Sequence, residues 1–233
     1  MISDRPQIIT IQPSSSLEDL GMPTVAINNE VTTVIIVFTV EPSQQQELVD
    51  AIATFLPTVK QQPGFISANI HKSTDGVKVA NYAQWRSQAD YEAFINNAEA
   101  QAKGEAVRAF GPPDMHVYEV VASETKIGIP EIKAGGYLAH FAEFRMQPEN
   151  QPRMVELAKE HVVPAMGQPG LLSANFHRSL DGTRVINYGQ WENAEAIEEL
   201  QKQPGFGKEK PYWDGLAENE FHLYEVVLTE TAD

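Results

Sequence analysis

The sequence predicts an α+β fold: two tandem ferredoxin-like (βαββαβ) repeats that close on one another as a pseudo-dimeric α+β barrel. Three observations predict it. The stretch QPGFISANIHKSTDGVKVANYAQW at 62–85 returns as QPGLLSANFHRSLDGTRVINYGQW at 168–191, with about fifteen of the 24 positions identical. Landmarks outside that stretch recur at the same offset, Pro42 with Pro148 and HVYEVVASET at His116 with HLYEVVLTET at His222. Within each repeat the hydrophobic period switches between that of a strand and that of a helix in the order β-α-β-β-α-β. A four-stranded sheet with both helices on one face leaves its other face uncovered, and a second copy in the same chain supplies the cover.

The elements follow in order. Residues 1–30 carry Pro6, Pro13, three consecutive serines and Gly21, and read as an N-terminal arm able to supply at most an edge strand. TTVIIVFTVE at 32–41 is a β-branched run of strand length, ended by Pro42. From Ser43, a candidate cap, apolar Leu48, Ile52, Phe55, Leu56 and Val59 are spaced three and four apart, which predicts an amphipathic helix stopped before Pro63 and Gly64. FISANIHK and VKVANYAQW form a hairpin across the STDG turn, a second helix covers about Ser87 to Ala102, and MHVYEVVA at 115–122 closes the unit. The first domain is thus 31–125, a Gly- and Pro-bearing connector spans 126–135, and 136–233 is the second domain.

Thirty-two acidic against seventeen basic residues give a net charge of −15, which repels phosphate backbones and anionic lipid, so neither nucleic acid nor membrane is an expected partner. The absence of cysteine removes disulfides, thiolate metal sites and a cysteine nucleophile. The opening residues lack a signal-peptide pattern and no run approaches the length of a membrane span, which together predict a cytoplasmic protein.

The repeated hairpin is the candidate site. A three-residue loop closed by Gly76 pairs His71 with Val79 and Asn69 with Asn81, and places His71, Asn69, Ser67, Asn81 and Trp85 on one face. A two-residue Asp-Gly turn instead sets Ile70 opposite Asn81 and scatters this set; the longer loop is preferred. Amides and a histidine beside an indole on otherwise apolar strands are costly to pack dry, and a pocket accommodates them. No Gly-rich dinucleotide loop and no HExxH motif is present, so no cofactor and no metal is expected. His116 and His222, at matched strand positions, read as structural, and His140 and His161 receive no role.

PGFISANIHKSTDG followed by VANYAQW resembles the antibiotic biosynthesis monooxygenase family of dimeric α+β barrels, and within it the aromatic polyketide monooxygenase of the actinorhodin pathway. The resemblance covers about 90 residues of each half. It implies a cofactor-independent monooxygenase that oxidises an aromatic, quinol-like or polyketide substrate with dioxygen, in a pocket between sheet and helices. The implied site residues are Asn81, Trp85 and Tyr91, with His71 as a candidate base because its pKa lies naturally near neutrality. The second-repeat equivalents are Asn187, Trp191 and His177, but Ile197 stands where the tyrosine belongs, and no arginine matches the one the relative carries in its second helix. A haem-degrading relative would need a histidine in the helix after the tryptophan, and 86–115 and 192–221 contain none. The other alternative is a non-catalytic small-molecule-binding barrel. Two such chains can also associate as a homodimer.

Overall fold

The computed structural model describes residues 23–201 and 211–233; most of the predicted N-terminal arm lies outside them. The first repeat contains β1 (Thr32–Thr39), α1 (Gln45–Lys60), β2 (Phe65–Ser73), β3 (Lys78–Trp85), the short helices α2 (Gln88–Ile95), α3 (Ala98–Lys103) and α4 (Glu105–Arg108), and β4 (Asp114–Thr125). The second contains β5 (Leu138–Arg145), α5 (Gln151–Ala165), β6 (Leu171–Ser179), β7 (Arg184–Trp191), α6 (Ala194–Gln201) and β8 (Glu218–Thr231). All eight strands form one closed antiparallel barrel in the order β1-β3-β2-β8-β5-β7-β6-β4. Each repeat's last strand closes on the other repeat's second strand, β8 on β2 and β4 on β6. Closure pairs the sheet edges that a lone repeat would expose.

Two helical expectations are corrected. Ser43 lies inside a 3-10 turn at Pro42–Gln44, and α1 begins at Gln45 with no side-chain cap. Gln45 holds that end instead: its Nε2 donates to the carbonyls of Ser73 and Lys78, each at 2.9 Å, and so clips the helix onto the hairpin. Gln151 repeats the device on Ser179 and Arg184 at the same distances. The single second helix expected over Ser87–Ala102 is broken into pieces, because Ser87 and Asn97 each cap a separate start, accepting from Asp90 N at 3.1 Å and Ala100 N at 3.2 Å.

The hairpin register is the third correction. Ile70 pairs with Asn81, His71 with Ala80 and Asn69 with Tyr82. The loop has four residues: Gly76 takes the left-handed conformation at φ +85°, Gly76 N donates to Ser73 O, and Ser73 Oγ accepts from Lys78 N at 2.8 Å. A one-residue shift exchanges faces. Ser67, Asn69 and His71 therefore turn into the barrel, while Asn81 and Trp85 turn outward to the helices.

Three apolar layers result. Each repeat has a core between its sheet face and its helices, and a third fills the barrel with Ile35, Tyr82, Phe141, Ile186, Tyr188 and Tyr224, all 0–1% exposed. One barrel end is capped by two segments that the constant repeat offset did not reveal. Val25 N donates to Pro130 O and Ile132 N to Pro23 O, both at 2.9 Å, which seats fully buried Val25 and Ile132 as matched plugs. Gln84 and Gln190 anchor them by donating to the carbonyls of Thr24 and Glu131. The opposite end carries an ionic cluster in which Lys78 pairs with Glu220 at 2.8 Å and Arg184 with Asp114 at 3.0 Å.

Candidate active site

Between the first sheet and its helices lies a cavity of about 300 Å³. β1 contributes Ile36 and Phe38, α1 contributes Ile52, Phe55, Leu56 and Val59, and β2 contributes Phe65 and Ala68. Asn81, Ala83 and Trp85 stand on β3, spaced two apart and so on one face, and the helices after β3 supply Tyr91, Phe94, Gln101 and Arg108. The break between α3 and α4 brings Gly104 against Phe55, where a Cβ would lie 2.9 Å from the ring.

Asn81, Trp85 and Tyr91 thus converge on one cavity, as expected for the hairpin and the helix after it. Trp85 stacks on Phe94 with ring centroids 5.1 Å apart and meets Phe65 edge-on at 5.6 Å, which fixes its plane. Asn81 Oδ1 is buried without a partner. Asn187 Oδ1 in the second repeat is buried without a partner in the same way. Tyr91 is 5% exposed, and its hydroxyl donates to Met115 Sδ at 2.9 Å. Burial pushes the Tyr91 phenol up to about 12, so it is a protonated donor throughout the neutral range. Among the described residues, the titratable groups lining the cavity are the Tyr91 phenol and the Arg108 guanidinium.

His71 is not brought to this cavity. It is fully buried inside the barrel, where Nδ1 meets the Asn69 carbonyl at 2.9 Å and Nε2 meets Tyr188 Oη at 3.3 Å. Because a carbonyl can only accept, Nδ1 carries the proton and Nε2 accepts from the tyrosine. His177 repeats this with the Asn175 carbonyl at 3.0 Å and Tyr82 Oη at 3.0 Å. Burial depresses both imidazoles to about 4, so they are neutral partners in a core network.

The second repeat keeps Asn187 and Trp191 on the outward face but changes what surrounds them. His140 stands on β5 where β1 has Val34, and its Nδ1 accepts from Trp191 Nε1 at 2.7 Å. The imidazole occupies the space above Gly189, where a Cβ would lie 2.2 Å from the His140 ring; Ala83 holds that position in the first repeat. Around it Phe221 packs on His140 at 5.1 Å, Trp213 on Phe144 at 5.2 Å and Tyr212 on His161 at 4.4 Å. Ile197 is 2% exposed in the place of Tyr91. His140 and His161, which sequence reasoning left without roles, are the residues that refashion this layer. The available signal was their occurrence in one repeat only, at the positions of Val34 and Phe55.

His116 and His222 are latches between the repeats. His116 lies 2.5 Å from Asp114 and 2.6 Å from Asp181 of the opposite hairpin, and His222 lies 2.9 Å from Glu220 and 2.6 Å from Asp75. Among the described residues no group of three His, Asp or Glu side chains is arranged to hold a metal ion, and no helix is long and apolar enough to cross a membrane.

The sequence profile of the antibiotic biosynthesis monooxygenase family matches residues 32–105 and 138–209. The tetracenomycin-F1 monooxygenase of Streptomyces glaucescens is 36% identical over 103 residues, which cover 44% of this chain and 92% of that one. Among solved structures, an anthrone oxidase-like protein superposes with a TM-score of 0.77 at 23% identity, covering 90% of this chain and 97% of that one. A Streptomyces coelicolor monooxygenase in complex with nanaomycin D is 33% identical, with a TM-score of 0.35, covering 39% of this chain and 88% of that one.

Proposed function

The chain belongs to the antibiotic biosynthesis monooxygenase family, with one family unit in each repeat, and from that premise we propose that its first repeat is a cofactor-independent monooxygenase acting on an aromatic, quinol-like or polyketide substrate. The observation that carries the proposal is the convergence of Asn81, Trp85 and Tyr91 on one apolar cavity large enough for a fused aromatic ring system. Function belongs to the site rather than to the fold, and the chemistry this site favours can be read from its wall.

The lining side chains that carry N–H or O–H groups are Asn81, Trp85, Tyr91, Gln101 and Arg108, of which Gln101 Nε2 already donates to the Phe94 carbonyl and Arg108 Nη1 to the Gln101 carbonyl. Among the described residues no lining side chain is a carboxylate or a histidine. Such a wall stabilises an anion and offers no strong base. Burial disfavours a phenolate here as it does for Tyr91, but a bound phenol or enol differs from Tyr91 in that its anion is met by the Asn81 and Trp85 donors. Their hydrogen bonds to the anion are stronger than those to the neutral form and offset that cost, the proton leaving to solvent. The electron-rich anion then passes one electron to dioxygen. Recombination of the substrate radical with superoxide forms a carbon–oxygen bond and a peroxide, and loss of water leaves the carbonyl of a quinone. Asn81 and the Trp85 indole N–H hold the oxyanion, and Tyr91 returns a proton to the departing peroxide oxygen. His71, on the other side of the sheet, takes no part. The second repeat, with its indole N–H bonded to His140 and Ile197 in place of Tyr91, lacks two of the three donors, which favours a binding or purely structural role for that half.

Oxygen uptake with dithranol, a dihydroxyanthrone, and with a panel of hydroquinones tests the activity; no acceleration over the buffer rate for any of them overturns it. Asn81→Ala combined with Trp85→Phe is expected to lower the rate about a hundredfold with an unchanged circular dichroism spectrum. The spectrum of dithranol bound under argon is expected to show its anion at a pH where the free compound is neutral.

A further inference from the structure

Tyr91 and Met115 face each other across the mouth of the cavity, the phenol from α2 and the thioether from β4, joined at 2.9 Å. Met115 is 42% exposed, whereas Met146 is 9% and Met154 0% exposed. The second repeat has neither partner, since Ile197 and Phe221 stand at the two positions. The pair therefore accompanies the open cavity. A thioether is a weak acceptor, so this bond leaves the Tyr91 hydroxyl available to a bound molecule. A sulfoxide is a polar group whose oxygen is a much stronger acceptor.

We propose that Met115 is a modification site for hydrogen peroxide and organic hydroperoxides, and that its sulfoxide closes the cavity by capturing the Tyr91 hydroxyl and placing a polar oxygen at the mouth. The sulfur lone pair attacks one peroxide oxygen, the O–O bond breaks, and the departing oxygen takes a proton and leaves as water or an alcohol. Sulfur is oxidised by two electrons and the peroxide is reduced by two. Tyr91 Oη, within hydrogen-bond reach of the sulfur, is placed to donate to that departing oxygen. The inference rests on the proposed monooxygenase reading for the origin of the oxidant, a peroxide released when turnover fails to complete. The modification is reversed by methionine sulfoxide reductases, so the device would pause the site in step with the peroxide around it.

The test uses the full-length protein treated with hydrogen peroxide, with oxygen addition at each methionine followed by peptide mass spectrometry and dithranol binding measured under argon. Met115 is expected to gain one oxygen about tenfold faster than Met146 and Met154. The oxidised protein is expected to bind dithranol about tenfold more weakly and to recover after methionine sulfoxide reductase treatment. Met115→Leu, whatever its starting affinity, is expected to show the same affinity before and after peroxide. Oxidation of Met115 no faster than of the buried methionines overturns the proposal. So does undiminished dithranol binding by the sulfoxide form, equal loss of binding in Met115→Leu, or failure of the untreated protein to bind dithranol. No turnover occurs under argon, so these readouts stand apart from oxygen uptake, whose absence would remove the monooxygenase reading and its supply of peroxide but not the modification of Met115 itself.

Discussion

His140 and Gly189 form a matched pair whose counterparts are Val34 and Ala83. The imidazole fills the space above the glycine, and its Nδ1 accepts the Trp191 indole N–H. Gly189→Ala alone drives a methyl group into that ring and is expected to destabilise the fold by about 1–3 kcal/mol. His140→Val alone leaves the indole N–H without its acceptor and is expected to cost about 1–3 kcal/mol. Together they recreate the first-repeat arrangement, so the double variant should be more stable than the sum of the two single losses. Urea unfolding of the four proteins as a double-mutant cycle reads this coupling, and strict additivity would show that the ring does not occupy that space. Tyr91 was legible in the sequence because its strand and helix context carries the family pattern. His140 was not, since a histidine on a buried strand declares no partner until the neighbouring strand is in register.

At the scale of the element, the hairpin shows why a correct strand assignment can still misplace a site. Strand extents and the turn glycine were legible, but Ser67, Asn69 and His71 are polar residues on the barrel side, while Asn81 is polar on the helix side. Both faces of β2 and β3 are buried, so no simple alternation of polar and apolar residues fixed the register. The segments Pro23-Thr24-Val25 and Pro130-Glu131-Ile132 escaped notice for a related reason: they are short, and one residue off the constant spacing. Because the register carries His71 and His177 inward, acid should loosen the barrel. Their folded pKa values lie near 4 against 6.5 for an exposed histidine, and burial places His140 lower still, near 3. Between those limits the unfolded chain binds more protons, so stability is complete above about pH 6.5 and declines as the pH falls toward 4, by at most about 3 kcal/mol for each of the pair. His116 does not share this limb. The hydrogen bond to Asp114 raises its pKa, so its contribution is complete below pH 6.5 and is lost as the pH rises through the raised value. Asp114, depressed to about 2 chiefly by the same bond, gives up its contribution only at lower pH. Urea midpoints across pH 7 to 4.5 should fall steeply in the wild type and less steeply in His177→Gln; parallel profiles would remove the buried imidazoles from the account.

For the whole molecule, the decisive feature is that neither repeat is closed by its own strands. β2 pairs with β8 from Ser67↔Thr231 to Ser73↔Tyr224, and β4 pairs with β6 from Tyr118↔Ser179 to Thr125↔Ser173. The barrel interior draws on both repeats, Tyr82 reaching His177 and Tyr188 reaching His71. The hairpin tips are latched crosswise through Asp75 to His222 and Asp181 to His116. Separation of the repeats would expose two sheet edges, an apolar interior and paired polar groups in each half. The covalent link runs through Ile127, Gly128 and Ile129 and is not itself part of these seams; Ile129 is 66% exposed and Gly128 lies at φ +80° with open space around it. Cutting the chain there should therefore remove a tether without removing an interface. With a protease site inserted after Gly128, the cleaved protein is expected to elute as one species containing both fragments and to keep its dithranol binding. Its unfolding temperature should become dependent on protein concentration, because unfolding now releases two chains. Elution of two separate folded fragments would overturn this and make each repeat an independent domain. Retained association with lost binding would instead show that the link holds the first cavity in shape, a demand that the seams as described do not place on it.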